Sequence, residues 1–350
     1  MNDACVANVI RIISFRPVFI LFIGFTCLEG NASPVYSEAD DIPCENIGLG
    51  YLAAPSLSPG HILRPSSIFA LPVLGAKGTE RMDFDFHWGN VWNYKPNQFM
   101  IDGEWIRSSL RYSYALQDTL SVGLAVPMIG RTGGFADSTI ENFHSAFGLG
   151  NANRTGFPRN RSLVTVNEKG VPYTVAEGES WGIGDVSAFV ASCLTEGTRY
   201  LPAITVQGEV SLPSGDQDEL RGMGAPAISL SSVASKRLGG SPIILFLGGG
   251  FQYCESDDMA IIQFYNVQYS GLAGAEYQYS KSFCLLLQYL ISSPVAKDYF
   301  AFSEPSHEVS AGFKWRWGHD TVLELAMVEN IVVFQNSADI GIHLAYGRSL

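Results

Sequence analysis

The feature that most constrains this chain is the strict alternation over residues 81–94, Arg-Met-Asp-Phe-Asp-Phe-His-Trp-Gly-Asn-Val-Trp-Asn-Tyr. Met82, Phe84, Phe86, Trp88, Trp92 and Tyr94 share one parity; Asp83, Asp85, His87 and Asn93 share the other. A strand sends successive side chains to opposite faces, so this stretch has one apolar and one polar face. It is longer than the ~5–6 residues of an ordinary strand and long enough for a membrane-crossing strand of ~9–11 residues.

The pattern recurs over residues 104–116, 200–212, 267–279 and 306–317, and more weakly over 119–126, 183–194, 225–236, 243–253, 283–291, 321–329 and 338–347. That predicts twelve strands. Tight links at 117–119, 280–282 and 318–320, with short ones at 195–199 and 238–242, alternate with longer loops at 95–103, 127–182, 213–224, 254–266, 292–305 and 330–337. Outer-membrane barrels alternate short periplasmic turns with long external loops in this way. Strand-like pieces at 161–166 and 171–175 then form a hairpin inside the long third-strand loop. The expected fold is an all-β, transmembrane antiparallel β-barrel spanning residues 81–347.

The tight turns also fix register. Pairing Trp317 with Thr321 sets Trp315 against Leu323 and Phe313 against Leu325 on the apolar face, and Lys314 against Glu324 on the polar face. The 280–282 turn pairs Tyr277 with Leu285 and Ala275 with Leu287. A slip of one residue would turn each strand inside out.

Composition agrees with a barrel. The 350 residues are 47% hydrophobic but only 16% charged, against about a quarter charged in ordinary domains. After residue 28 the apolar runs are no longer than that of Ile243–Leu247, far short of the ~20 residues of a spanning helix. A net charge of −12 argues against nucleic acid as a partner. The aromatics are expected in two belts, with Tyr112, Tyr114, Tyr277, Tyr279, Phe283, Trp315, Trp317 and Tyr346 periplasmic and Trp88, Trp92, Tyr94, Trp105, Phe251 and Tyr253 external.

Arg11 and Arg16 precede the apolar run Val18–Phe25, and Gly30-Asn31-Ala32 follows. This reads as a signal peptide, residues 1–32, for export to the bacterial outer membrane. Residues 33–80, with the apolar piece Ile68–Leu74, are read as a periplasmic N-terminal segment, part of which plugs the lumen. The mature chain keeps Cys44, Cys193, Cys254 and Cys284, for which three pairings exist and none is assigned. No cofactor or metal is expected.

The last strand carries Asp339, Gly341, Leu344 and Tyr346 at the spacing of the C-terminal signal read by the barrel-assembly machinery, with a four-residue extension beyond it. That machinery and outer-membrane lipid are the expected partners, beside an unidentified small solute. Further segments resemble an uncharacterised bacterial outer-membrane family, a domain of unknown function. They are Gly133-Gly-Phe-Ala-Asp137 through Ile140, Phe143-His144, Phe147-Gly148 and Asn151, then Arg154 and Pro158-Arg159, together with Asp102-Gly103-Glu104, Leu110-Arg111-Tyr112, Gly182-Ile-Gly184-Asp185, Leu212–Asp216 and Glu329-Asn330. The resemblance implies a barrel and no established activity.

Residues 137–147 read as a short helix with Asp137 as N-cap and Gly148 as stop. Either this loop folds into the lumen, with Arg131, Asp137, Glu141, His144, Arg154 and Arg159 contacting a solute, or it packs on itself outside. The lumen-facing charges are Asp83, Asp85, Arg107, Arg111, Asp185, Glu209, Glu276, Glu308, Lys314, Arg316 and Glu324. Of these Asp83, Asp85, Arg107, Arg111, Lys314, Arg316 and Glu324 are candidate solute contacts; the alternative is a lattice of salt bridges.

Catalytic patterns are weak. The only nearby histidine–serine combinations are His144-Ser145 and His307 with Ser310, and neither pair shares a face. The expected function is therefore a channel or facilitator for a small solute. The alternative is a structural or surface-interaction barrel acting through its long loops.

Overall fold

Period-two sequence becomes long strands. The computed structural model describes residues 46–64, 75–146, 148, 150–168, 171–255, 262–297, 300–333 and 336–350, all within one unit, Ile42–Leu350. The signal-peptide reading and Ile68–Leu74 lie outside these residues.

In chain order the strands are β1 (Glu80–Lys95), β2 (Phe99–Gln117), β3 (Leu120–Thr132), β4 (Leu163–Glu168), β5 (Val171–Glu177), β6 (Ser180–Ile183), β7 (Ser187–Thr195), β8 (Ala203–Ser211), β9 (Ala227–Arg237), β10 (Ile243–Cys254), β11 (Val267–Gln278), β12 (Phe283–Ser292), β13 (Ser306–Trp317), β14 (Thr321–Asn330) and β15 (Ile340–Ser349). Twelve of them, all but β4–β6, form a closed antiparallel ring. β3 pairs directly with β7 across the long loop, and β1 pairs with β15 at the seam. Closure leaves no unpaired edge to face lipid.

The expected registers are present, with Trp317 opposite Thr321, Lys314 opposite Glu324 and Tyr277 opposite Leu285. Phe84, Leu110, Leu124, Val190, Leu285 and Leu325 are exposed on the outer face, while Gln207, Glu276, Gln288, Lys314 and His343 are buried inside. A barrel apolar outside and polar inside is of the outer-membrane type.

Two expectations need correction. Residues 95–103 are not a long loop: β1 and β2 are joined by residues 96–98 alone, with Asn97 at φ 59°. The polar run Asp102-Gly103-Glu104 looks loop-like, yet it lies in β2, where its side chains bind the folded loop. Trp105 and Trp92 do not belong to an external belt, being 2% and 4% exposed. Asp185 is buried just before β7, where it accepts the backbone N–H groups of Gly215 and Met223.

The long loop after β3 extends the wall. β4 pairs with the start of β2, taking the place that β3 leaves beyond Thr132, and β6 pairs with β3 where β7 has not yet begun. β5 pairs with β4 as the expected hairpin. The helix in this loop, α2, spans Asp137–Ala146. A shorter helix, α1 (Pro59–Ile62), lies in the N-terminal segment.

Candidate functional site

Residues 46–64 run along the inward face of the barrel, and the barrel supplies the hydrogen bonds that this irregular backbone needs. At the end of the short turns, Asn46 donates to the Glu196 and Thr198 carbonyls and accepts from Lys236 Nζ. Next, Glu276 accepts the N–H groups of Leu49 and Gly50 at 3.0–3.1 Å. Lys314 Nζ donates to the Tyr51 carbonyl at 2.6 Å. Gln288 both accepts from Leu52 N and donates to Leu52 O. Glu324 accepts from Ala53 N and Glu308 from Leu57 N. Beyond α1, Arg107 donates to the Ile62 and Arg64 carbonyls. His61 meets the Ser293 carbonyl, and Arg64 donates to the Tyr265 carbonyl, both on the long-loop side.

Close packing accompanies these bonds. A Cβ on Gly48, which sits at φ +66°, would lie 2.5 Å from Glu276 Oε1 and 2.6 Å from Ile244 Cδ1. A Cβ on Gly341 would meet the Leu57 side chain, so that glycine has a packing role inside the barrel besides its place in the C-terminal pattern. Burial, with the nearby Arg64 guanidinium, holds the His61 imidazole down at about 4. Burial also lowers Arg64 to about 10 and raises the Tyr51 phenol.

The inward charges are thus divided between the segment and the wall. Lys314 and Glu324 form an ion pair at 2.7 Å. From Glu324 a chain of contacts crosses the seam: His343 Nε2 at 3.1 Å, then His343 to His87 through their Nδ1 atoms at 3.0 Å, then His87 to Asp85 at 2.9 Å. The two imidazoles stack at 4.7 Å. Asp83 pairs with Arg81. Arg111 donates to Gln207, and its guanidinium lies 4.4 Å from the centre of the Phe189 ring. Gln207 also donates to Glu209. Arg316 is half-buried near the short turns, in register with Val322.

In the long loop, the candidate residues contact one another and the barrel rim. Arg154 bridges Asp137, Asn90 and Asp339 and lies over Trp92. Arg159 pairs with Glu141, His144 Nδ1 meets Asn151, and Arg131 donates to Ser162. Burial lowers the His144 pKa. Asp137 does not cap α2. It lies inside the helix and accepts from Asn160 N, while Glu104 takes the N–H groups of Phe135 and Ala136 just before it. His307 Nδ1 is 2.6 Å from the Tyr289 hydroxyl.

Residues 33–349 match the family described as a protein of unknown function (DUF3187). The chain belongs to that family. Among solved structures, the COG4313 outer membrane channel from Pseudomonas putida F1 is similar at TM-score 0.54 and 13% identity, covering 79% of this chain and 97% of that one. The translocator domain of autotransporter NalP from Neisseria meningitidis gives TM-score 0.45 at 7% identity, covering 78% and 89%. The KdgM porin gives 0.40 at 6%, covering 77% and 99%. At these identities the likeness is one of fold. The curated proteins gave no match.

The sequence did not single out Gln288, His87 and Trp105. Strand parity points to two of them, since His87 shares its inward side with Asp83 and Asp85, and Trp105 with Arg107 and Arg111; β12 has no charged residue to mark the inward side of Gln288. A cavity adjoining Trp105 lies between α1, the start of β2 and β4, and the long loops, with a volume of about 60 Å³.

Proposed function

We propose that this protein is an outer-membrane channel for a small solute whose lumen is occupied by its own residues 46–64. The observation that supports this most is the series of contacts from Asn46, near the short turns, to His61 and Arg64, near the long loops. At successive positions Glu276, Gln288, Lys314, Glu324, Glu308 and Arg107 bind the segment's main chain. A twelve-strand barrel is wider than the eight-strand barrels that side chains fill and narrower than open porins. A single extended chain therefore takes up much of its bore. In this reading the inward charges hold the plug first and meet solute only when it shifts. Export by residues 1–32, assembly through Asp339, Gly341, Leu344 and Tyr346, and a lipid-facing outer surface belong to the same proposal.

The test is conductance in planar bilayers. The full chain is expected to show rare, small openings, and a chain lacking residues 46–64 a steady ohmic pore. Equal conductance would overturn the plug, and silence in both would overturn the channel.

A further inference from the structure

Barrel interiors of this type are polar, and in the lower lumen of this one buried charges such as Glu276 and Lys314 stand among apolar side chains such as Ile244, Phe246 and Leu286. The cavity at the long-loop end has no such charges. Every residue lining it is apolar, with Leu63 of the N-terminal segment, Phe99, Trp105, Val164, Phe264 and Ala296 forming its walls. Its volume is about 60 Å³, several times what one water needs and room for a compact solute while α1 stays in place. Water gains little in such a place, because it needs polar partners. Trp105 is 2% exposed and lines the cavity with carbon, its Nε1 being buried away from the open space.

Pro59 and Gly60 of α1 also line the cavity, so the segment that fills the lower lumen forms one of its walls. Gly60 lets α1 approach closely, since a Cβ there would strike the Val295 side chain.

We propose that this cavity is the external receiving site for a small apolar solute carrying no charge, with α1 as the wall that must move for the solute to descend. This rests on the channel reading above and names its substrate class. Charged and strongly hydrated solutes are excluded, because nothing in the cavity replaces their water.

Two measurements on the full chain test it. Crystals under xenon pressure read the site with no transport step, since dry apolar cavities take up xenon. Uptake of the apolar dye N-phenylnaphthylamine by cells carrying the chain in their outer membrane reads the path. Ala296→Phe puts a ring into the cavity, and Val164→Phe does so from the opposite wall should the first fail to fold, folding being judged by heat-modifiable gel mobility. The expected result is xenon in the native cavity, its loss in the variant, and dye uptake lowered about tenfold, the scale of an overpacked site. No xenon in the native chain, or equal dye uptake by native and variant, would overturn the proposal. Failure of the channel reading is separate, since it shows as silence in the bilayer with and without residues 46–64.

Discussion

Replacing Glu276 with alanine should loosen the N-terminal segment without disturbing the barrel. The β11 backbone keeps its ladders to β10 and β12 whatever side chain stands at 276. The carboxylate is fully buried and takes two main-chain donors, Leu49 N through both oxygens at 3.1 Å and Gly50 N at 3.0 Å. Hydrogen bonds to a charged group are worth about 1.5–3 kcal/mol each. Two give ~3–6 kcal/mol, and water entering the vacated space recovers part of that, leaving ~3 kcal/mol. At 1.4 kcal/mol per tenfold, the ratio of docked to released segment falls about a hundredfold. Glu276→Gln keeps one acceptor oxygen and should fall between.

Open-time fraction in planar bilayers at neutral pH reads the release electrically. A Ser56→Cys reporter reads it chemically, because Ser56 is 6% exposed when docked and should react with a membrane-impermeant maleimide only when released. If Glu276→Ala folds and neither open time nor labelling changes, the carboxylate does not hold the segment, and the hydrogen-bond accounting is wrong.

Acid should release the segment. His61 sits at about 4 when docked against an ordinary 6.5, so docking is at full strength above 6.5, weakens as pH falls through that window, and has lost up to ~3 kcal/mol below 4, less where water reaches the partly exposed ring. Open time against pH should rise in that window and rise less in His61→Gln. Gly48→Ala should open the pore at neutral pH, because a Cβ at φ +66° is strained and collides with Glu276 and Ile244; labelling of Ser56→Cys checks it. Arg154→Ala strands the Asp137 and Asp339 carboxylates and should destabilise the long loop by ~3–5 kcal/mol, seen as faster proteolysis within residues 137–159 with unchanged bilayer conductance.

The ring of strands was legible because each strand repeats one local rule. Alternation sets the faces, and turn length sets the register, so Lys314–Glu324 could be paired from residues ten apart. What holds the segment was not legible. Leu49 and Glu276 are separated by 227 positions, and no periodicity links them. The inward charges looked like partners for one another, and some are, as Lys314 with Glu324. Their other task, binding the main chain of residues 49–57, leaves no trace in the pattern because a backbone N–H carries no residue identity. Trp105 was misplaced for a different reason: it was judged by its type and height, though its parity with Arg107 and Arg111 already pointed inward. The start of β2 was hidden because Asp102-Gly103-Glu104 is polar for the sake of the loop it binds, through Arg161 to Asp102 and through Phe135 and Ala136 to Glu104, which also accepts from Trp88 of β1.

The barrel grips residues 49–57 twice over, by hydrogen bonds to their peptide groups and by burying the side chains of Leu49, Tyr51, Leu52, Ala54 and Leu57. The peptide half of that grip is indifferent to side-chain identity; the apolar half asks only for size and hydrophobicity. Two kinds of position have less latitude: the glycines that let the path bend or pass, Gly48 on the segment and Gly341 on the wall, and the distant wall residues that supply the acceptors and donors. The plug is therefore written in two places at once, as a short apolar segment and as Glu276, Gln288 and Glu308 on strands more than two hundred residues away.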